Sequence, residues 1–318
     1  MSEATVLGID IGGTGTKAAA VTRQGEVVAR AERPTDGQAG TKSIISVAED
    51  LLSRAKDLDL SIAAVGVGAA GFVDAATGSV TFSPNLVYDD PQVAEALRGR
   101  VGLPVVVDND ANAAAWGERT FGCAKGCNDV SLVTLGTGIG SGFVAGGSLV
   151  RGSTGAGAEL GHTIVDPQGP QCGCGLRGCL EQFASGKAIA RMAKEGVASE
   201  PNSVIVSIAG SVEAIRAEHV ARAARQNDET ARDVLQRAGR SLGIGLSNVA
   251  NLFDPDVIVL GGGLIRCGEP YLGPARDQLF KMSTEQHRRP IRVEVTALGH
   301  DAGILGAAAL AFDLEAGR

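Results

Sequence analysis

One histidine and three cysteines stand in an H-x9-C-x-C-x4-C pattern: His162, Cys172, Cys174 and Cys179, with glycines at 173, 175 and 178. Three thiolates and one imidazole complete a tetrahedral zinc shell, and a shell filled entirely by protein ligands is a structural one. The interleaved glycines let a short loop wrap a single ion. The cluster contains no redox C-x-x-C. Cys123, Cys127 and Cys267 have no such pattern and are expected to be small buried hydrophobes. Two carboxylates bound the cluster, Glu159 three residues before His162 and Glu181 two residues after Cys179. A zinc loop would hold both rigidly, and rigid acceptors suit a polyhydroxyl ligand.

Another carboxylate, Asp110, follows the apolar run Pro104 to Val107 at the point where a helix should begin. Ligand-facing residues of open α/β sheets sit there. Asn109 beside it both donates and accepts, as a sugar hydroxyl requires. The plainer reading is that an Asp or Asn at this place caps the following helix.

Three glycine turns end apolar runs and would offer backbone N–H groups to phosphate oxygens. The first is Asp10-Ile11-Gly12-Gly13-Thr14-Gly15-Thr16-Lys17. Here Thr14 adds a hydroxyl and Lys17 a point charge, and Asp10 could hold Mg²⁺ through water. Walker A spacing is not met, and the dinucleotide fingerprint fails because the turn feeds a strand. The second turn is Gly136-Thr137-Gly138-Ile139-Gly140. The third, Gly261-Gly262-Gly263, gives flat backbone for a base or ribose. Each alone also reads as an ordinary turn; three at strand ends weigh against that reading.

The elements that must position these residues alternate between strand and helix. Strands are expected over 5–9, 18–21, 27–30, 62–67, 104–107, 131–135, 142–150 and 256–260, with a hairpin over 72–80. Helical spacing marks 41–56, 92–98, 111–121, 181–195, 211–226, 229–252 and 302–311, while 196–210 is irregular. Strand, glycine turn, strand occurs at the start and again from Val130, so the chain reads as a duplicated α/β unit. With no Pro- or Ser-rich linker between the halves, two lobes around a cleft are expected.

Composition narrows the function classes. The 318 residues carry 29 Lys and Arg against 36 Asp and Glu, a net charge of −7, which argues against coating nucleic acid or anionic membrane. Aromatics at 3% leave no base-stacking platform. Glycine, at 45 residues, is about twice its usual ~7% share, with no collagen-like period. No apolar run nears the ~20 residues of a membrane helix. Met1-Ser2-Glu3-Ala4 lacks the cations of a secretory signal, so a soluble, cytoplasmic protein is expected.

Taken together, these motifs resemble the ROK family of sugar kinases, within the actin-like ATPase and hexokinase superfamily, and the resemblance covers essentially the whole chain. Asp10-x-Gly12-Gly13-Thr14-x-x-Lys17 resembles the first phosphate motif and Leu135-Gly136-Thr137-Gly138 the second. Asp108-Asn109-Asp110-Ala111-Asn112 resembles the catalytic segment, and Gly261-Gly262-Gly263 the adenosine motif. The most family-specific stretch is Glu159-Leu160-Gly161-His162 with Cys172-Gly173-Cys174-Gly175-x-x-Gly178-Cys179-x-Glu181. Gly15, and Val87-Tyr88-Asp89-Asp90 after Ser83-Pro84-Asn85-Leu86, depart from the common pattern.

The resemblance implies an α/β, duplicated actin-like ATPase (ribonuclease H-like) fold. Residues 1–120 would form the smaller lobe, with helix 301–318 packing back onto it, and 121–300 the larger lobe with the zinc loop and adenosine motif. It implies an ATP-dependent hexose kinase of glucokinase type, with Asp110 the general base for the sugar 6-hydroxyl. Asn109, Asp110, Glu159, His162 and Glu181 would bind sugar, and Gly71 and Asn85 would line the pocket. Gly12, Gly13, Thr14, Lys17, Thr137, Gly138, Gly262 and Gly263 would bind nucleotide. His162, Cys172, Cys174 and Cys179 would hold structural Zn²⁺, and Asp10 would serve Mg²⁺. ATP, a sugar and a homo-oligomeric partner (dimer or tetramer) are implied, without nucleic acid or membrane. Open alternatives are N-acetylmannosamine, N-acetylglucosamine, fructose or mannose as acceptor, polyphosphate as donor, and a sugar-sensing regulator. The last is disfavoured, because Asp10 leaves no room for a helix-turn-helix domain ahead of it.

Overall fold

The computed structural model describes residues 4–200, 202–285 and 291–317; Met1 to Glu3, on which the signal reading partly rests, lie outside them. Two compact units emerge. The first comprises 1–132, 142–158 and 296–318, the second 133–141 and 159–295.

In the first unit β1 (Thr5–Ile11), β2 (Gly15–Thr22), β3 (Val27–Pro34), β4 (Ile62–Ala69) and β7 (Val105–Asn109) form a sheet of order β3-β2-β1-β4-β7. β1, β4 and β7 run parallel, while β2 and β3 are antiparallel additions. β1 is apolar on both faces because it is covered on both, as expected for a central parallel strand. Leu7, Ile9 and Ile11 join Ile44, Val47 and Leu51 of α1 (Gly40–Asp57) and Leu97 of α2 (Val93–Val101) in one core. On the other face Val6 joins Ile304, Leu305 and Ala308 of α10 (Ala302–Glu315). α10 is apolar all round from Ala302 to Phe312 and is accordingly buried over Ile304 to Phe312. It lies so close to the sheet that a Cβ on Gly66 would stand 1.8 Å from Ala307 O. α3 (Asp110–Thr120) packs beside it, with Gly306 against the Ala113 carbonyl. Wholly buried Glu118 ties α3 to the chain entering α10, accepting from Leu298 N at 3.0 Å, from the Thr296 hydroxyl and from Cys123 N at 3.0 Å.

The second sheet has the order β10-β9-β8-β11-β12, from β8 (Val130–Leu135), β9 (Ile139–Ala145), β10 (Ser148–Leu149), β11 (Val257–Gly261) and β12 (Arg292–Val295). With strands numbered in order within each half, both five-stranded sheets read 3-2-1-4-5, so the expected duplication is present. The hairpin is also present, as β5 (Phe72–Asp74) with β6 (Ser79–Phe82).

Several expectations change in detail. The second glycine turn ends at Gly138, because Ile139 already pairs as strand. The helix expected over 181–195 breaks at Ser185 into α4 (Glu181–Ala184) and α5 (Gly186–Ser199), Ser185 capping α5. The helix expected over 211–226 shortens to α7 (Ala217–Arg225), and the irregular stretch holds α6 (Ile205–Ala209). α8 (Glu229–Phe253) matches its pattern, whereas α9 (Glu269–Met282) and β12 carry no clear sequence signal. α9 contains Pro274, which obscures its helical period. Among the described residues, no helix is long and apolar enough to cross a membrane.

Candidate active site and metal centre

In the first unit the candidate residues gather at the C-terminal ends of β1, β4 and β7. Asp10 is directly opposite Lys17 across the β1–β2 pair. The intervening turn closes through Gly12 N to Gly15 O, 3.0 Å, and leaves Gly13 and Thr14 exposed. Gly13 also faces Asn85, whose carbonyl would stand 3.6 Å from a Cβ there. Burial, then the Asp110 carboxylate, push the Asp10 carboxyl up to about 6, against the pull of Lys17. The two acids therefore feel one another's charge, and together they could hold a divalent cation. Gly303, in the first turn of α10, makes room for Asp10: a methyl there would stand 2.6 Å from its carboxyl carbon. The sequence reading missed Gly303, although a glycine just inside an alanine-rich helix signals a close approach.

Asp110 opens α3, and its Oδ1 accepts from Ala111 N at 2.8 Å. Asn109 is the N-cap, accepting from Ala111 N at 2.9 Å and Asn112 N at 3.1 Å. Its amide nitrogen donates to Gly71 O at 3.0 Å. The capping role is thus real, and it leaves Asn109 one amide hydrogen for a ligand. Gly71 has φ +130°, and a Cβ there would collide with the Phe82 carbonyl. Tyr88, absent from the expected set, donates to Ala70 O at 3.1 Å, and its phenol is pushed up by burial and by Asp110 and Asp10.

In the second unit Gly136 N bonds Gly138 O at 3.0 Å, closing the second glycine turn. Gly186 N and Lys187 N of α5 bond the carbonyls of Gly136 and Thr137. Glu181 reaches across, its Oε2 accepting from Ile139 N at 2.9 Å. Gly262 has φ +86° and lies against the Leu135 carbonyl, so the third glycine turn packs on the end of β8.

His162, Cys172, Cys174 and Cys179 present ligand atoms all within 4.8 Å of one another. Cys174 Sγ and Cys179 Sγ are 3.6 Å apart, and Cys172 Sγ and His162 Nδ1 3.7 Å. About 3.7 Å is the edge of a tetrahedron with Zn–S bonds of ~2.3 Å, so the donor set fits zinc. Burial and the neighbouring thiols push Cys179 up to about 12, and a cation is what lets all three sulfurs be thiolates together. Gly178, φ +74°, lets the loop close against the Asp166 carbonyl. With Nδ1 turned to the sulfurs, His162 Nε2 lies 4.0 Å from Glu159 Oε2. Burial and Glu181 raise the Glu159 pKa, and His162 opposes the rise. Glu159, His162 and Glu181 thus form one polar cluster beside the His-Cys₃ loop. Of the remaining cysteines Cys267 is buried as expected, but Cys123 and Cys127 are half-buried, and Cys123 Sγ lies 3.3 Å from Glu118.

Two sheets of one topology, each with a glycine turn after its first strand, and a His-Cys₃ cluster able to hold a metal define a duplicated α/β phosphate-handling scaffold of the actin-like ATPase class. The ROK family model matches residues 6–313, and the chain belongs to the ROK family. It is 40% identical over 311 residues to a glucokinase of Streptomyces coelicolor, covering 96% of each chain. With a Thermotoga maritima glucokinase it shares 36% identity over 312 residues, 98% of each. Among solved structures it resembles a ROK family glucokinase from Streptomyces griseus in complex with glucose and AMPPNP. The TM-score is 0.82 at 40% identity, with 97% of this chain and 99% of the other covered.

Proposed function

We propose that this protein is an ATP-dependent glucokinase, transferring the γ-phosphoryl group of ATP to the 6-hydroxyl of glucose. The observation that carries the reading is the placement of two acids beside a glycine turn: Asp10 in β1, directly opposite Lys17, and Asp110 at the start of α3, with burial and then Asp110 raising the Asp10 pKa. Phosphoryl transfer needs little covalent help from a protein. It needs an oriented nucleophile and neutralised phosphate oxygens. Asp110 accepts the hydroxyl proton as the new O–P bond forms and the bond to the ADP oxygen breaks. Asp10 would hold, through water, the Mg²⁺ that accompanies ATP, and Lys17 adds positive charge nearby. The amides of Gly13, Thr14, Thr137 and Gly138 suit phosphate oxygens, Gly12 spends its own N–H on closing the turn beside them, and Gly262 and Gly263 suit the adenosine.

Asn109, Glu159, His162 and Glu181 supply hydroxyl partners, with Gly71 and Asn85 lining the sugar pocket. His162 Nδ1 and the three thiolates would hold Zn²⁺ as a structural ion, which would order the loop that carries Glu159, His162 and Glu181. Glucose is favoured over the other hexoses because two relatives at 36% and 40% identity over nearly the full chain are glucokinases. The test is a coupled assay of purified protein across glucose, mannose, fructose, N-acetylglucosamine and N-acetylmannosamine, with ATP or polyphosphate as donor. Glucose with ATP should give the highest kcat/KM; no turnover on any pair would remove the kinase reading.

A further inference from the structure

We infer that Arg151 is a positioning residue for phosphoryl transfer, acting through Asp108 on the segment that carries Asp110; this rests on Asp110 being the base. Asp108 is almost wholly buried, its side chain 2% exposed. Both of its oxygens are engaged. Oδ1 accepts from Asn109 N at 2.8 Å and from Asn112 Nδ2 at 2.9 Å, and Oδ2 accepts from Arg151 Nε at 2.7 Å. Asn109 and Asn112 flank Asp110, and Asn109 Oδ1 closes the ring by accepting from the N–H groups of residues 111 and 112. The base therefore stands on a turn of helix clamped to a single buried carboxylate.

A buried carboxylate keeps its charge only where a cation and hydrogen bonds replace its water. Arg151 supplies the cation, and the loop that presents it is closely fitted. Gly157 N bonds Arg151 O at 3.0 Å, and a Cβ on Gly157 would stand 2.8 Å from that oxygen. Gly155, at φ +76°, lies against the Val73 carbonyl, where no side chain fits. The glycines fold the loop back on itself so that the guanidinium meets Asp108. Without it Asp108 Oδ2 is left buried with no partner, and water must enter to replace the guanidinium. The hold of Asp108 on Asn109 N slackens, and the Asp110 carboxylate loses its alignment.

Misplacing a reacting group by about 1 Å costs on the order of 10²-fold in rate. Arg151→Gln should accordingly lower kcat by about 10- to 100-fold, with KM for glucose and ATP within about threefold of wild type. Arg151→Lys, which keeps the cation, should recover kcat to within about fivefold. Asp108→Asn should lower kcat likewise, and Asp108→Asn/Arg151→Gln should lose no more than the worse single variant, since both act on one clamp. If Arg151→Gln does not fold, the uncharged double variant replaces it and should show a kcat at least about fivefold down with KM intact. Wild-type kcat in the Gln or double variant, multiplying losses in the cycle, or a loss confined to KM would each overturn the inference while the kinase reading stands. An inactive wild type would instead remove both.

Discussion

Gly138 and Glu181 come from different motifs, a glycine turn and the end of the metal loop, yet they touch. A methyl built on Gly138 would stand 2.3 Å from Glu181 Oε2 and 3.2 Å from its carboxyl carbon. Gly138 does not need positive φ, so alanine fits the backbone, and what yields is the end of a flexible side chain. To restore ordinary contact the carboxylate must move by about 1 Å, and its 2.9 Å bond from Ile139 N breaks. An amide left without its acceptor costs about 1–3 kcal/mol. Part of that returns through water, because the carboxylate keeps some exposure. Gly138→Ala should therefore fold, with a melting temperature within a few degrees of wild type, and should act on the sugar through Glu181. A displaced hydroxyl partner at roughly 1.4–2.8 kcal/mol lowers kcat/KM for glucose by about 10- to 100-fold, carried mainly by KM. Steady-state kinetics with glucose varied at saturating ATP, then the reverse, separate the two substrates. An unchanged glucose KM beside a raised ATP KM would mean that Gly138 serves the nucleotide alone and that Glu181 does not hold sugar.

Asp110→Asn should cut kcat by several orders of magnitude while calorimetry still finds glucose binding, because the amide keeps the shape but cannot take a proton. Near-normal turnover would show another base. Asp10, raised to about 6 from the usual ~3.9 of a free aspartate, is neutral in the folded protein between those values. Its contribution to stability is present below the unfolded pKa and lost as pH rises through 6, and a cation restores it only above 6. Stabilisation by Mg²⁺ with ADP, read as the melting-temperature gain over ADP alone, should be large at pH 7.5 and fade by pH 5; a constant gain would detach the metal from Asp10. Cys174→Ser should release zinc, measured by metal analysis, and lower the melting temperature. Wild-type protein purified without bound zinc would end the structural-metal reading.

Much of the scaffold could be read from the chain, because its signals are local. β1 is apolar from Val6 to Ile9 because both of its faces are covered, and α8 keeps its period over 25 residues. The duplication showed as a repeated strand, glycine turn, strand, and the His-Cys₃ cluster as the spacing of four candidate ligands. What stayed hidden depends on partners far apart in sequence. Nothing near Asp108 announces Arg151, 43 residues away, and nothing near Asp10 announces the glycine of α10 that gives it room. Asn109 could be read as a cap or as a sugar ligand; only the fold shows that its oxygen is spent on the helix and one amide hydrogen remains. Spacing reports which groups are available, since chemistry is carried by residue type. Whether a carboxylate is charged, clamped or crowded is set by what surrounds it in three dimensions, through burial and through the partners that replace its water.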